Sequence, residues 1–399
     1  MQECPVRPPI PRVPAIDAKK PAGKPSMVFK RFQIATGMQF AKCITQRQGF
    51  VAVVVEPNRG MGPEAWYVGV AYLPAGTGAE LLKVCNHLSR DTIGSACSPQ
   101  SLSISAEAVL AVSMGADGVR TYILSAPVYE QCGATFAPWL HFNQLGVCTF
   151  AKWINPLRHL RALVTQSALL ETVVSVHGAL DTPRHVSQEI FRANSASVIA
   201  LDVAEPGNIA FVTQRGQSIL LHLLTLQPNG SFAQRSLDLC QAGLRRSDVP
   251  TEIVPISLAI GDEQVAVGYS PKNPHGRGVY EAPGLVEVYC IESGELVARR
   301  LLPESLPTAL ATCGTRLLIG ASDANLAQEY KNHGHASAIY ALTTKGSANY
   351  TVCSGDQYNR HWMPGCICMD KISWCYARLQ LTAFDEVATI IEHAAVPTR

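Results

Sequence analysis

Residues 285–296 read LVEVYCIESGEL, and this stretch indicates the type of fold. Its first five residues form a short apolar segment typical of a buried β strand, and Ser293 and Gly294 are turn residues that precede the next strand. Similar short segments, rich in Val, Ile, Leu and Thr, recur from about residue 28 to the C-terminus. An apolar period of 3.6 residues, which would indicate helix, is confined to residues 78–88 and parts of 156–171. The sequence therefore predicts an all-β protein.

The strand segments repeat as a unit. The unit begins with an apolar strand and a polar turn, continues with a second strand that ends in small residues and glycine, and ends with a third strand. It occurs in residues 197–225, 253–294 and 307–344. Further copies begin near Gln39, Ser101, His141 and Trp362. The spacing, roughly 40 to 55 residues, is that of one four-stranded propeller blade with its loops. About seven units fill the chain, which predicts a seven-bladed β-propeller over residues 29–399. Residues 285–296 look like the end of a WD-type repeat in which Tyr289 and Cys290 replace the Trp-Asp pair.

The first 28 residues differ in composition from the rest of the chain. They contain seven prolines interleaved with five lysines and arginines. Proline at this density prevents both helix and β pairing, so we expect a disordered tail outside the propeller. The circle of blades is predicted to close by pairing residues 27–34 with residues 386–393.

Composition limits the class of protein. Hydrophobic residues make up 47% of the 399 residues, so a large core is expected. The net charge is only +2, which argues against a protein that coats nucleic acid. No apolar run reaches the roughly 18 residues of a membrane span. Thirteen cysteines, an odd number, without a secretory signal predict reduced thiols in the cytoplasm.

The chain shows no constellation typical of an enzyme. It has no phosphate-binding G-x-x-x-x-G-K-[ST] loop, no H-E-x-x-H and no G-x-S-x-G. Cys366 and Cys368, with Cys375 nearby, form the most metal-like cluster. On a strand the first two thiols lie on one face, which is poor geometry for tetrahedral zinc. We therefore expect no catalysis, no cofactor and no metal.

An arginine pair stands between two predicted strands, in the sequence Leu244-Arg245-Arg246-Ser247. Adjacent residues of an extended chain point to opposite sides, so Arg245 and Arg246 can each serve a separate anion site. Guanidinium groups suit phosphate oxygens because they donate two parallel charge-assisted hydrogen bonds. The alternative interpretation is a solvated turn.

The context of this pair resembles the PROPPINs, seven-bladed propellers that bind polyphosphoinositides and act in autophagy and endolysosomal traffic. Their [LF]-R-R-G motif matches at Leu244 to Arg246, and Ser247 replaces the glycine. In the preceding blade, residues 210–220 read AFVTQRGQSIL, where Thr213 keeps a hydroxyl at the family's serine position. Gln217 and Leu220 replace the family's Thr and Arg. Residues 43–57 resemble the family's first blade, and residues 252–267 its sixth.

The resemblance implies that Arg245 and Arg246, helped by Thr213, bind lipid headgroups. The family's membrane-inserting loop should follow Tyr289, where this chain has only a short connection. An insertion at residues 270–283 contains basic and aromatic side chains that would suit an anionic membrane surface: Lys272, His275, Arg277 and Tyr280. A plain hairpin loop is the alternative for this segment.

Two functions follow from these observations. The first is a monomeric, cytoplasmic, phosphoinositide-binding propeller, peripherally associated with autophagic or endolysosomal membranes. It would bind phosphatidylinositol 3-phosphate or 3,5-bisphosphate headgroups together with partner proteins of the traffic or autophagy machinery. The second is a WD-repeat-like scaffold for protein–protein interaction without lipid binding. Neither involves nucleic acid.

Overall fold

A computed structural model describes twenty-eight β strands and the connecting residues 195–196, 207, 216–217, 227–231, 239, 261–263, 291–295, 314–315 and 344. These described strands pair into seven four-stranded sheets, numbered I to VII below, and every pairing is antiparallel. The all-β prediction is therefore confirmed.

The first strand is β1 (Lys30–Thr36). Sheet I contains β2 (Met38–Arg47), β3 (Phe50–Pro57), β4 (Tyr67–Tyr72) and β5 (Asn86–His87). Sheet II contains β6 (Ser98–Ile104), β7 (Val109–Gly115), β8 (Thr121–Pro127) and β9 (Ala137–Phe142). Sheet III contains β10 (Val147–Ile154), β11 (Arg161–Ala168), β12 (Glu171–Gly178) and β13 (Ser187–Asn194).

Sheet IV contains β14 (Ser197–Ala204), β15 (Asn208–Arg215), β16 (Ser218–Leu226) and β17 (Phe232–Asp238). Sheet V contains β18 (Ile253–Ile260), β19 (Gln264–Pro271), β20 (Gly284–Cys290) and β21 (Leu296–Leu302). Sheet VI contains β22 (Ser305–Cys313), β23 (Arg316–Asp323), β24 (Ala338–Thr343) and β25 (Asn349–Ser354). Sheet VII contains β26 (Trp362–Met369), β27 (Ser373–Leu381), β28 (Val387–Ala395) and β1.

The sheets are arranged in a circle. The leading strand of each sheet contacts the leading strand of the next, from β2 through β6, β10, β14, β18 and β22 to β26, which contacts β2 again. Burial follows this radial order: every residue of β19 is buried, whereas β17 at the end of its sheet is mostly exposed. The fourth strand of a sheet is therefore its outer strand.

The circle closes through sheet VII. Strand β1 pairs with β28, with Lys30 opposite His393 and Thr36 opposite Ala388. The predicted pairing of the two ends of the propeller is confirmed in the residues that the structure describes. Residues 1–29, which include the predicted tail, lie outside the described residues, so the domain boundary at residue 28 stays a prediction.

Two local predictions were wrong. His141 does not open a repeat: it lies in β9, the outer strand of sheet II, and sheet III begins at Val147. Strand β9 reads APWLHF, a short and mostly apolar segment like those of the inner strands, so its composition does not indicate its position in a sheet. The range 156–171, parts of which were assigned a helical period, contains strand β11. A segment of eight residues is too short for periodicity to distinguish helix from strand.

Apolar side chains fill the spaces between neighbouring sheets. Leu221 and Leu223 of sheet IV pack with Val265 and Tyr269 of sheet V. Sheets V and VI approach closely at Gly284, where an added Cβ would lie 2.8 Å from Cδ of Pro307 and closer still to the carbonyl oxygen of Ser305. This space admits no side chain, which explains the glycine.

Polar side chains join the sheets at several points. Asp202 accepts a hydrogen bond from the backbone N–H of Ile260 at 3.1 Å, and Nζ of Lys152 lies 3.6 Å from the same carboxylate. These contacts join sheets III, IV and V. Gln264 of sheet V donates to Oγ1 of Thr312 in sheet VI at 2.9 Å. No helix in the described part of the chain is long and apolar enough to span a membrane.

Candidate functional site

Most residues predicted to bind lipid fall outside the described residues. Arg245 and Arg246 belong to the segment between β17 and β18. The predicted membrane-contact residues belong to the segment between β19 and β20: Lys272, His275, Arg277 and Tyr280. Their roles stay predictions.

Thr213, the remaining predicted lipid ligand, lies within sheet IV. Its side chain is 4% exposed, and its hydroxyl lies 2.8 Å from Nε2 of His222 on the neighbouring strand. Nδ1 of His222 lies 2.9 Å from Oγ of Ser236 on the outer strand. The three side chains form a chain of hydrogen bonds across β15, β16 and β17. In this arrangement the Thr213 hydroxyl is engaged inside the sheet, and its role toward a headgroup stays a prediction.

His222 is enclosed by aromatic rings. The ring of Phe211 stacks on the imidazole, and the ring of Phe191 is tilted against it, each with a centroid distance of 4.7 Å. Burial lowers the pKa of His222 to about 4, because the protonated imidazole would lose its hydration. The side chain is therefore neutral at physiological pH and acts as a structural cross-link between strands.

A buried carboxylate lies on the face of sheet V that packs against sheet IV. Glu287 of β20 is fully buried, and its oxygens accept hydrogen bonds from the Tyr289 hydroxyl at 2.6 Å and from Nε of Arg299 at 3.1 Å. The Tyr269 hydroxyl lies 3.4 Å from that of Tyr289. The buried charge of Glu287 is thus compensated by a cation on the outer strand β21 and by one hydroxyl.

Arg300, the next residue of β21, lies on the opposite face of sheet V. It is only 7% exposed, and its Nε has no hydrogen-bond partner. The guanidinium carbon lies 4.4 Å from the ring centroid of Tyr340 in sheet VI, a cation–π contact. Burial lowers the pKa of Arg300, and Tyr340 partly opposes that shift. An arginine nonetheless remains charged at neutral pH.

A small cavity adjoins Arg300 between the outer parts of sheets V and VI. Its volume is about 10 Å³, roughly the space of one water molecule. Five of its other lining residues are aliphatic, Val286, Val288, Ala298, Leu317 and Leu342, and the remaining three are Arg299, Thr343 and Thr344. A buried cation therefore stands beside an apolar cavity at the junction of two sheets.

Apolar side chains are exposed on the other face of β21. Val297 is 38% exposed and Leu301 is 36% exposed, and Arg299 lies between them on the same face. Among the described residues, Ile256 is the one other large hydrophobic residue that is exposed to this extent. Strand β21 thus combines an exposed apolar face with a buried cation on its reverse.

Cysteine placement is described in part. The register puts Cys368 opposite Cys375 on neighbouring strands of sheet VII. Neither Cys290 nor Cys313 is part of a disulfide. The described residues contain no group of three or more metal-ligating side chains. The expectation that all thiols are reduced and that no metal is bound stays a prediction.

Comparison with known proteins defines the class of fold. No family model matches this sequence, and no curated protein matches it. The fold is similar to the structure of the Dos1 propeller, with 10% sequence identity, a TM-score of 0.51, and coverage of 90% of this chain and 94% of that one. It is also similar to a chain of the mitotic checkpoint complex, with 11% identity, a TM-score of 0.52, and coverage of 96% and 98%.

A third similar structure is YCF48 from Cyanidioschyzon merolae, with 11% identity, a TM-score of 0.51, and coverage of 91% of this chain and 98% of that one. Similarity at this level of identity concerns the fold alone. The protein is therefore a β-propeller, and the fold class predicted from the sequence is confirmed. Membership of the PROPPIN family is not established by these similarities.

Proposed function

We propose that this propeller is a WD-like scaffold for protein–protein interaction without catalytic activity, and that outer strand β21 forms part of its binding surface. The observation that carries the proposal is the pair of exposed aliphatic side chains, Val297 and Leu301. Isolated apolar side chains are common on protein surfaces, but these two share one face of one strand, with an arginine between them. The buried core of a protein interface is more apolar than the rest of the surface, and arginine is enriched there.

The position of the patch supports this function. Val297 and Leu301 are four residues apart on a strand, so they lie about 13 Å from each other on the same face. Arg299, between them, is held by Glu287 and is partly exposed. No described strand pairs with the outer edge of β21, and an unpaired strand edge is a place where an extended segment of a partner can add. One structure of similar fold comes from a multiprotein assembly, the mitotic checkpoint complex.

The test is co-purification of the tagged full chain from its native cells. Partners that bind the wild type should be lost from the double variant Val297→Glu and Leu301→Glu, because each change places a charge in an apolar contact. Ile256→Glu is the matched control, since Ile256 is as exposed as Val297 but lies on the leading strand β18. Equal partner recovery for wild type and double variant would contradict the proposal, as would equal loss in the control.

Phosphoinositide binding is the second candidate function, carried by the PROPPIN-like sequence around Arg245 and Arg246. In this case the propeller is a peripheral effector that binds phosphatidylinositol 3-phosphate or 3,5-bisphosphate on autophagic or endolysosomal membranes. Vesicle flotation with and without phosphatidylinositol 3-phosphate tests it. Loss of two charge-assisted phosphate contacts in the variant with Arg245→Thr and Arg246→Thr should weaken binding by about two to four decades. Wild-type protein that does not float with these vesicles would exclude this function.

A further inference from the structure

Strand β21 carries two adjacent arginines whose surroundings differ. The Arg299 guanidinium is paired with the carboxylate of Glu287. Arg300, on the opposite face, has no carboxylate at ion-pair distance among the described residues, and its Nε donates to no acceptor. A charge removed from water is unfavourable unless an opposite charge and hydrogen-bond acceptors replace the lost hydration. Among the residues that the structure describes, Arg300 is therefore a buried cation with no counter-ion.

We propose that the missing counter-ion is a carboxylate of a partner protein, supplied by a Glu or Asp side chain that reaches Arg300 between the outer strands of sheets V and VI. This inference rests on the proposed scaffold function and specifies the chemistry of one contact. The remaining exposure of Arg300, 7%, places its guanidinium just beneath the surface, where a short acidic side chain reaches it.

Tyr340 keeps the site preformed. The guanidinium carbon lies over its ring, 4.4 Å from the centroid, and the ring stabilises the charge when no partner is bound. A ring face does not accept the hydrogen bonds that the edge of the guanidinium donates in its own plane. The cation–π contact holds the side chain in place, and among the described residues the Nε–H of Arg300 has no hydrogen-bond acceptor.

The single charge and the shape of the guanidinium favour a carboxylate over a phosphate as its ligand. One guanidinium fork matches the two oxygens of one carboxylate, and one positive charge matches its single negative charge. A phosphate group carries more charge and more acceptor oxygens than a single cation among aliphatic side chains satisfies. The cavity beside Arg300, about 10 Å³, has room for a single oxygen atom of that carboxylate and no more.

The test uses a library of random nine-residue peptides, selected for binding to the full chain. We expect the selected peptides to share an acidic residue. One of them is then synthesised with Glu and with Gln at that position, and affinities are measured by fluorescence anisotropy. On the wild-type chain the Gln peptide should bind about tenfold to hundredfold more weakly, because one charge-assisted contact is lost.

The variant Arg300→Gln should weaken the Glu peptide by a similar factor and leave the Gln peptide unaffected, so the two changes are not additive. Arg215→Gln, an exposed arginine of sheet IV, is the control and should bind both peptides like the wild type. Should Arg300→Gln fail to fold, Arg300→Lys takes its place. It keeps the charge and the aliphatic stem but cannot form the two parallel hydrogen bonds.

Additive losses, selected peptides without an acidic residue, or no selected peptide at all would each overturn the Arg300 site. These results are distinguishable from failure of the scaffold function. Partners that depend on Val297 and Leu301 but not on Arg300 would leave the scaffold standing and remove only this contact.

Discussion

Mildly acidic solution should destabilise the fold through His222, because the unfolded chain binds a proton at this residue more readily than the folded chain does. In the folded chain the pKa of His222 is about 4, whereas the ordinary value is 6.5. Above pH 6.5 the imidazole is neutral in both states, and its burial carries no pH-dependent cost. Between pH 6.5 and pH 4 the unfolded chain takes up a proton that the folded chain does not, so stability falls as the pH falls. Linkage between these two pKa values predicts a loss of about 2 kcal/mol at pH 5 and about 3 kcal/mol at pH 4.

The assay is denaturation by guanidinium chloride at pH 7 and at pH 5, applied to the wild type and to His222→Gln. Other titrating groups contribute equally to both proteins, so the difference between their pH dependences isolates His222. The variant should lose about 2 kcal/mol less than the wild type between the two pH values. It should also be less stable at pH 7, because the hydrogen bonds to Thr213 and Ser236 are disrupted. Identical pH dependence in the two proteins would refute the explanation.

Three further predictions concern the junctions between strands and sheets. Gly284→Ala should lower the free energy of unfolding by about 2 kcal/mol in chemical denaturation, because its Cβ would collide with sheet VI. An unchanged free energy of unfolding would show that the two sheets separate easily. Glu287→Ala should cost about 3 kcal/mol in the same assay, since it removes a carboxylate that accepts hydrogen bonds from Arg299 and from the Tyr289 hydroxyl. A cost close to zero would contradict this role. Deleting residues 1–35 should lower the melting temperature because it removes most of β1, whereas deleting residues 1–24 should leave the melting temperature unchanged. Equal melting temperatures for the two deletions would argue against closure of the circle through β1.

The fold was largely predictable because its determinants are local. Short apolar segments separated by turn residues indicate strands, and a repeat of constant order indicates blades. The pairing of β1 with β28 was predictable because a closed propeller requires an early strand to complete the last sheet. Position within a sheet was harder to predict. His141 lies on an outer strand that is short and mostly apolar, as leading strands also are, and only the pairing of the strands distinguishes the two.

The candidate site was not predicted, although a sign of it was present. Residues 296–302 read LVARRLL, a second arginine pair in an apolar segment. Whether such arginines are paired depends on contacts distant in sequence. Arg299 meets Glu287 through the register of β20 and β21, and Arg300 meets Tyr340 of the next sheet, 40 residues further along the chain. Likewise, His222 stands in the apolar run ILLHLL, and nothing local indicates that Thr213 and Ser236 are its partners.

The central claim is that this propeller binds protein partners at outer strand β21. Site-specific photo-crosslinking from that strand tests this claim most directly. A photoreactive amino acid is placed at Val297 in the full chain and, as a control, at Asp262, an exposed turn residue between β18 and β19. After irradiation in native cells, we predict covalent adducts with partner proteins from position 297 and none of the same adducts from position 262. Recovery of the chain on phosphoinositide vesicles, without any protein adduct at position 297, would contradict the account.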